Sequence, residues 1–148
     1  MIIKETKDIN EIKKVLCHPD IYGCIADDFC PESKDFEPPL EALYIAGYVD
    51  SDIIGLMIYH RLEDGLKCHI QVIPEYRKQY ARQFARMALD IGEAKNSLIY
   101  SEIPTCYPNV IKFAKDFGFT EIGSIKDDYQ KDGKLYDVIK LRLDNVIR

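Results

Sequence analysis

Three basic side chains, Arg77, Lys78 and Arg82, fall within six residues in the segment IPEYRKQYARQFARMALD. At the start of a helix such a cluster suits an anion. Side-chain charge there adds to the backbone N–H groups that a first turn leaves unpaired, and the helix dipole reinforces both. Here the turn would offer the amides of Gln79, Tyr80, Ala81 and Arg82. Basic residues at a helix N-terminus oppose the dipole, a local conflict that an external anion would relieve. A solvated basic turn explains the same residues without any ligand. Anion-binding turns commonly use glycine, because the backbone must come close to the ligand. Tyr80 and Arg82 carry Cβ atoms, so a regular right-handed turn is expected, with the ligand slightly farther out.

Just upstream, KCHIQVIP reads as a strand. Its period of two puts His69 and Gln71 on one face, and Cys68, Ile70 and Val72 on the other. With its ordinary pKa near neutrality, His69 could take a proton during catalysis. The competing reading is a half-buried histidine hydrogen-bonded within the strand pairing. His60, on the preceding strand, is an accessory candidate, and His18 beside Pro19 is expected at the surface. Cys106 has no histidine or acid near it in sequence and reads as a packed thiol. Tyr44, Tyr48 and Tyr59 fall within strands and read as strand residues with a polar tip.

These residues need elements to hold them. MIIKE is a short strand candidate, and KDINEIKKVLCHPDI follows with Ile9, Ile12, Val15 and Leu16 at helical spacing and Asp8 as its cap. ADDFCPESKDFEPPLE holds three prolines and six acidic residues against one lysine. It reads as a loop with a short helix, and as the segment most suited to move or to face a substrate. ALYIAGYV and IIGLMIYHRL are strands joined by a hairpin-like DSD turn, and LKCHIQVI is a third strand after the EDG turn. A helix is expected over residues 82–94, burying Phe84, Met87, Ala88 and Ile91. SLIYSEIP is the next strand. PNVIKFAKDFGF is an amphipathic helix with Val110, Phe113, Ala114 and Phe117 on one face and Gly118 as a left-handed cap. The chain closes with two strands around Asp132-Gly133, a strong hairpin signal.

The bulk numbers narrow the function. With 148 residues, 47% of them hydrophobic, the chain is expected to form one domain over residues 1–148 around a single core. A net charge of −5 argues against general nucleic-acid binding, which needs a dominant basic surface. No stretch approaches the roughly 20 apolar residues of a membrane span, and the charged start lacks a signal-peptide core. A soluble, cytoplasmic protein with no membrane partner is therefore expected. Its five cysteines form no CxxC pair and read as reduced thiols, without a metal site.

The element order and three motifs resemble the GNAT superfamily of acyl-CoA-dependent N-acyltransferases. HIQVIPEYRKQYAR resembles the family's fourth strand, turn and third helix, whose pattern is R/Q-x-x-G-x-G/A. Arg77 matches the first position, while Tyr80 and Arg82 stand where the two glycines belong. NVIKFAKDFGFTEIG resembles the Asn-led fourth helix ending in Gly-Phe, and DGKLYDVIKLRL the closing hairpin. The variant as a whole is most similar to a divergent group of GNAT proteins of tailed bacteriophages. The resemblance covers nearly the whole chain. It implies an α/β (α+β) fold: a mixed, mainly antiparallel central sheet of about six or seven strands flanked by about four helices.

The resemblance also implies a site. Strands four and five splay apart, and the amides of acetyl-CoA's pantetheine arm pair with exposed backbone at Gln71, Val72 and Ile73. The pyrophosphate then meets Arg77, Lys78, Gln79, Tyr80, Ala81 and Arg82. Asn109 matches a position that often contacts the cofactor near its thiol, though its place beside Pro108 at a helix start explains it equally well. His69 sits about where some arylalkylamine-acetylating relatives carry a functional histidine, the base for an amine acceptor. The family's proton-donating tyrosine falls four residues before the glycine of Gly-Phe, and Ala114 stands there. Tyr107, Cys106, Tyr100 or water would have to substitute. Otherwise the chain is a catalytically weak GNAT-fold binding or virion-associated protein. The acidic segment, with Asp27, Asp28, Glu32, Asp35, Glu37 and Glu41, would favour a cationic acceptor or serve as a solvated loop. Monomer and homodimer are both compatible with the sequence.

Overall fold

A computed structural model describes residues 1–96 and 98–144. The elements run β1 (Ile2–Glu5), α1 (Ile9–Leu16), α2 (Tyr22–Ile25), a 3-10 turn (Ser33–Asp35), β2 (Leu43–Val49), β3 (Asp52–Arg61), β4 (Leu66–Val72), α3 (Pro74–Lys95), β5 (Leu98–Pro104), α4 (Pro108–Asp116), β6 (Thr120–Lys131) and β7 (Lys134–Asp144). Seven strands form one sheet in the order β1-β2-β3-β4-β5-β7-β6. Every pairing is antiparallel except β4 with β5. The α+β architecture, its strand number and its four helices match the expectation. The strand read from SLIYSEIP is β5, and its Ser97 lies outside the described residues.

The local signals account for much of this. Asp8 caps α1 by accepting from the amides of Asn10 (2.9 Å) and Glu11 (3.4 Å). The β6–β7 turn has φ of 53° at Asp132 and 78° at Gly133, the double positive φ that a two-residue hairpin requires. Asp50 and Ser51 do the same between β2 and β3, at 49° and 72°.

Strand alternation sorts the core onto two faces. Met57 and Tyr59 point toward α3 with Cys68, Val72, Phe84, Ala88 and Leu89. Leu56 and Ile58 point toward α1 with Ile12, Val15, Leu16 and Ile21. The buried stripe of α3 is Phe84, Ala85, Ala88, Leu89 and Gly92, turned slightly from the expected one, so that Met87 and Ile91 are only half-buried. No residue of α4 is fully buried, and Val110 is exposed. Its inward face is Ile111, Ala114 and Phe117.

One boundary moves with consequence. Helix α3 begins at Pro74, eight residues before the expected start at 82. Proline at the first helical position has its φ preset and needs no amide partner, and Glu75 in the first turn favours the dipole.

Candidate functional site

β4 and β5 pair in parallel only at Leu66–Ile99 and Lys67–Tyr100. Beyond those two positions the strands part, and a cavity of about 1060 Å³ opens between them. That is the upper range for small-molecule sites. α3 and α4 flank it on one side of the sheet, and residues from α2 and the following loop flank it on the other.

The parting frees one edge of β4. The amide of Ile73 donates to the Ile54 carbonyl on β3 at 2.8 Å, so Ile73 and, by alternation, Gln71 turn their backbone groups toward β3. Val72 and Ile70 turn theirs into the gap. Of the three backbones expected to be exposed, Gln71 and Ile73 thus face β3, and the edge left free in the gap is that of Val72 and Ile70. The Gln71 side chain does line the cavity, whereas Ile73 is buried on the α1 face. The Val72 carbonyl already accepts from Arg77 Nε at 2.8 Å.

Helical spacing decides which α3 residues join. Arg77, Lys78, Ala81, Arg82, Ala85 and Leu89 recur at three and four residues and face the cavity. Gln79 and Tyr80 lie off that stripe. Gln79 is exposed, and the Tyr80 ring meets that of Tyr76 with centroids 6.2 Å apart. The expected run of free amides at Gln79, Tyr80, Ala81 and Arg82 is overturned. With α3 starting at Pro74, those N–H groups lie inside the helix, bonded to carbonyls four residues earlier. Side chains, not backbone, carry the positive charge here. Arg82 reaches across to α4, bonding Asp116 at 3.1 Å with its guanidinium 5.6 Å from the Phe113 ring centre. Lys112 shares the same carboxylate at 3.7 Å. This pair is exposed, so it is easily exchanged for a stronger anion. Asn109, exposed in the first turn of α4, also lines the cavity.

On the α1 face of β4, His69 stacks edge to face on His60, with centroids 5.2 Å apart. Lys67, on the same face, pairs with Glu102 across the divergence at 3.7 Å. Burial, reinforced by His60 and Lys67, pushes the His69 pKa from 6.5 down to about 4. The near-neutral proton affinity expected of it is therefore absent. His69 is neutral at pH 7, and its conjugate acid is strong. The unfolded chain takes up this proton near pH 6.5 and the folded chain only near 4. Stability from this group is thus complete above 6.5 and lost as pH falls through that window. Thermal melts at pH 7 and pH 5 should show a smaller acid loss in His69→Gln than in the parent; equal losses would contradict the burial of this imidazole.

Tyr107 caps α4 and lines the cavity, its hydroxyl 3.1 Å from that of Tyr129 on β6. Burial raises both pKa values, so both phenols are neutral at pH 7. Cys68, pushed up to about 12 by burial, is an inert thiol. Burial likewise raises Cys106.

The acidic segment is largely spent on structure. Asp28 accepts from the amides of Asp132 (2.8 Å) and Gly133 (2.9 Å) and from Gln130 Nε2 (3.2 Å). Those amide bonds hold its carboxyl below the usual range. Lys131 Nζ binds the carbonyls of Gly23 and Ala26, both at 2.6 Å. Glu37 pairs with Lys13, and Glu32 with Lys34. The start of the segment expected to move, at Ala26 and Asp28, is thus fastened to the β6–β7 hairpin. Of its six acids only Asp27 lines the cavity, where Asp128 of β6 joins it. Asp128 and Tyr129 carry no motif that singles them out in the sequence. The only signal is their position three and four residues before the hairpin turn.

No protein-family model matches the sequence, and neither does any curated protein. Solved structures do share the fold. The chain superposes on the smu.2055 protein of Streptococcus mutans with a TM-score of 0.78 at 14% identity, covering 99% of this chain and 100% of that one. It matches the ribosomal-protein-S18-alanine N-acetyltransferase of Escherichia coli at 0.74 and 16% identity, covering 99% and 95%. The F149A mutant of the spermidine N-acetyltransferase SpeG from Vibrio cholerae matches at 0.77 and 16%, covering 98% and 95%. At these identities the likeness defines the fold, a GNAT-like one.

Proposed function

We propose that the protein is an acetyl-CoA-dependent N-acetyltransferase acting on a primary amine of a small molecule or a protein. The observation that carries this reading is the parting of β4 from β5 beyond Lys67 and Tyr100, which leaves a strand edge unpaired inside a large cavity. An extended ligand bearing amides would add to that edge as a partial strand, through the backbone of Ile70 and Val72. Arg77, Lys78 and Arg82 on one wall suit its phosphates, and Asn109 faces them from α4. The residues therefore fit a molecule with amides at one end and concentrated negative charge at the other. When bound, acetyl-CoA supplies the activated acyl group as a thioester. Tyr107 replaces the donor missing at Ala114, and neutral His69 offers a lone pair from the opposite face. Asp27 and Asp128 favour an acceptor that arrives as a cation. Free cysteines suit the cytoplasm, and the motif variant suits a phage-encoded protein.

Ala114 and the enclosed amides of α3 favour a second reading, a GNAT-fold binding or virion-associated protein with little turnover. An acetylation assay with acetyl-CoA, spermidine and an alanine-terminated peptide separates them. Amine-dependent release of CoA thiol above the uncatalysed rate is expected. Binding of CoA without any such release would leave the second reading.

A further inference from the structure

We propose that Tyr107 and Tyr129 form one proton relay, in which Tyr129 takes the proton leaving the attacking amine while Tyr107 hands its own to the departing sulfur. This inference rests on the acetyl-transfer reading.

β6 is exposed from Thr120 to Asp128 and turns inward only at Tyr129. What turns it is a bulge: the register with β7 shifts between Ile125 and Tyr129, Asp127 adopts a φ of 52°, and its amide is held by Asp137 Oδ1 at 3.0 Å. The bulge aims one phenol into the cavity. There it meets Tyr107 edge to face, with ring centroids 6.1 Å apart and hydroxyls 3.1 Å apart. The two residues come from different walls. Tyr107 stands at the end of β5, beside the strand gap. Tyr129 stands against Ala26, a wall that Lys131 and Asp28 fix in place.

The pair has two hydrogen arrangements. With Tyr129 donating to Tyr107, the Tyr107 hydrogen is left for the cavity or for the adjacent Cys106 sulfur. With Tyr107 donating to Tyr129, Tyr129 gives its hydrogen to the Ala26 carbonyl, 3.4 Å away, or leaves it for the cavity. Hydrogens alone move between these states, and the rings stay in place.

The chemistry closes through that shift. Once the arriving ammonium has given its first proton to solvent, attack of the neutral amine nitrogen on the thioester carbonyl carbon forms the C–N bond and breaks the C–S bond, whose electron pair stays on sulfur. Nitrogen then has one proton too many and sulfur one too few. The nitrogen proton passes to the Tyr129 oxygen, the Tyr129 proton to the Tyr107 oxygen, and the Tyr107 proton to sulfur. The products are the amide and the free thiol, and both hydroxyls end as they began. Neither phenol has to ionise, which suits groups that burial keeps neutral.

Tyr129→Phe keeps the ring and removes the hydroxyl. Acetylation of spermidine and of an alanine-terminated peptide, followed by thiol release, should lose about 100-fold in kcat. Calorimetric titration of the same variant with CoA should give a Kd within about twofold of the parent. The double variant Tyr107→Phe/Tyr129→Phe should lose no more than either single one, because a relay broken once is fully broken. A kcat loss below about fivefold, additive losses, or a CoA Kd that rises in step with the rate loss overturns the relay and leaves acetyl transfer standing. A parent protein that acetylates neither amine removes both.

Discussion

Phe84→Ala is expected to lower the unfolding free energy by about 3–5 kcal/mol, a large share of the stability of a single domain. Phe84 is fully buried in α3 and lies against the backbone of two strands. The glycines of the cross-strand pair Gly47–Gly55 make room for it: a Cβ at Gly47 would stand 2.7 Å from Phe84 Cδ1, and one at Gly55 3.4 Å from Cε2. Its ring therefore fills space that two side chains would otherwise occupy, with nothing smaller nearby to collapse into it. In a chain of this size the loss corresponds to a fall in Tm of roughly 10 °C. Urea melts of parent and variant check it. A loss below about 1 kcal/mol, typical of a site that relaxes, would contradict this packing.

The double variant Arg77→Ala/Arg82→Ala is expected to weaken CoA binding about 10–100-fold, or about 1.4–2.8 kcal/mol. Charge-assisted bonds to phosphate are commonly worth about 1.5–3 kcal/mol each, but both arginines have internal partners to give up. Arg77 holds the Val72 carbonyl, and Arg82 holds Asp116. Asp116→Asn therefore makes the matching control: freeing Arg82 should tighten CoA binding a few-fold, and both effects should shrink in high salt. Calorimetry on the three proteins measures this. Unchanged affinity in the double variant would move the phosphates away from α3.

What is legible in the sequence follows from local rules. Asp8, Gly118 and Asp132-Gly133 each mark an element end through a side-chain cap or a positive φ, and each stands where expected. Strand alternation puts His69 and Gln71 on one face correctly. The start of α3 is misplaced in the sequence because basic residues draw it toward 82, although Pro74 and Glu75 are the stronger start signal. Tyr80 and Arg82, standing where the pattern that the sequence resembles has glycines, fit the same helix. A helix that runs unbroken from Pro74 has no use for glycine there, and its amides bond internally. The low proton affinity of His69 depends first on its burial and then on His60, which strand pairing brings beside it, with Lys67 two residues away on the same strand adding to both. Tyr129 depends on a bulge and on contacts more than a hundred residues apart in sequence with Ala26. Neither is a property of any short stretch of sequence.

The most direct test of CoA binding in the strand gap is calorimetric titration of the protein with CoA at low and high salt. Saturable 1:1 binding is predicted, weakening with salt and lost in Ser101→Trp, which puts a bulky side chain at a buried β5 residue that lines the cavity. No binding at millimolar CoA, or binding that Ser101→Trp leaves intact, would contradict it.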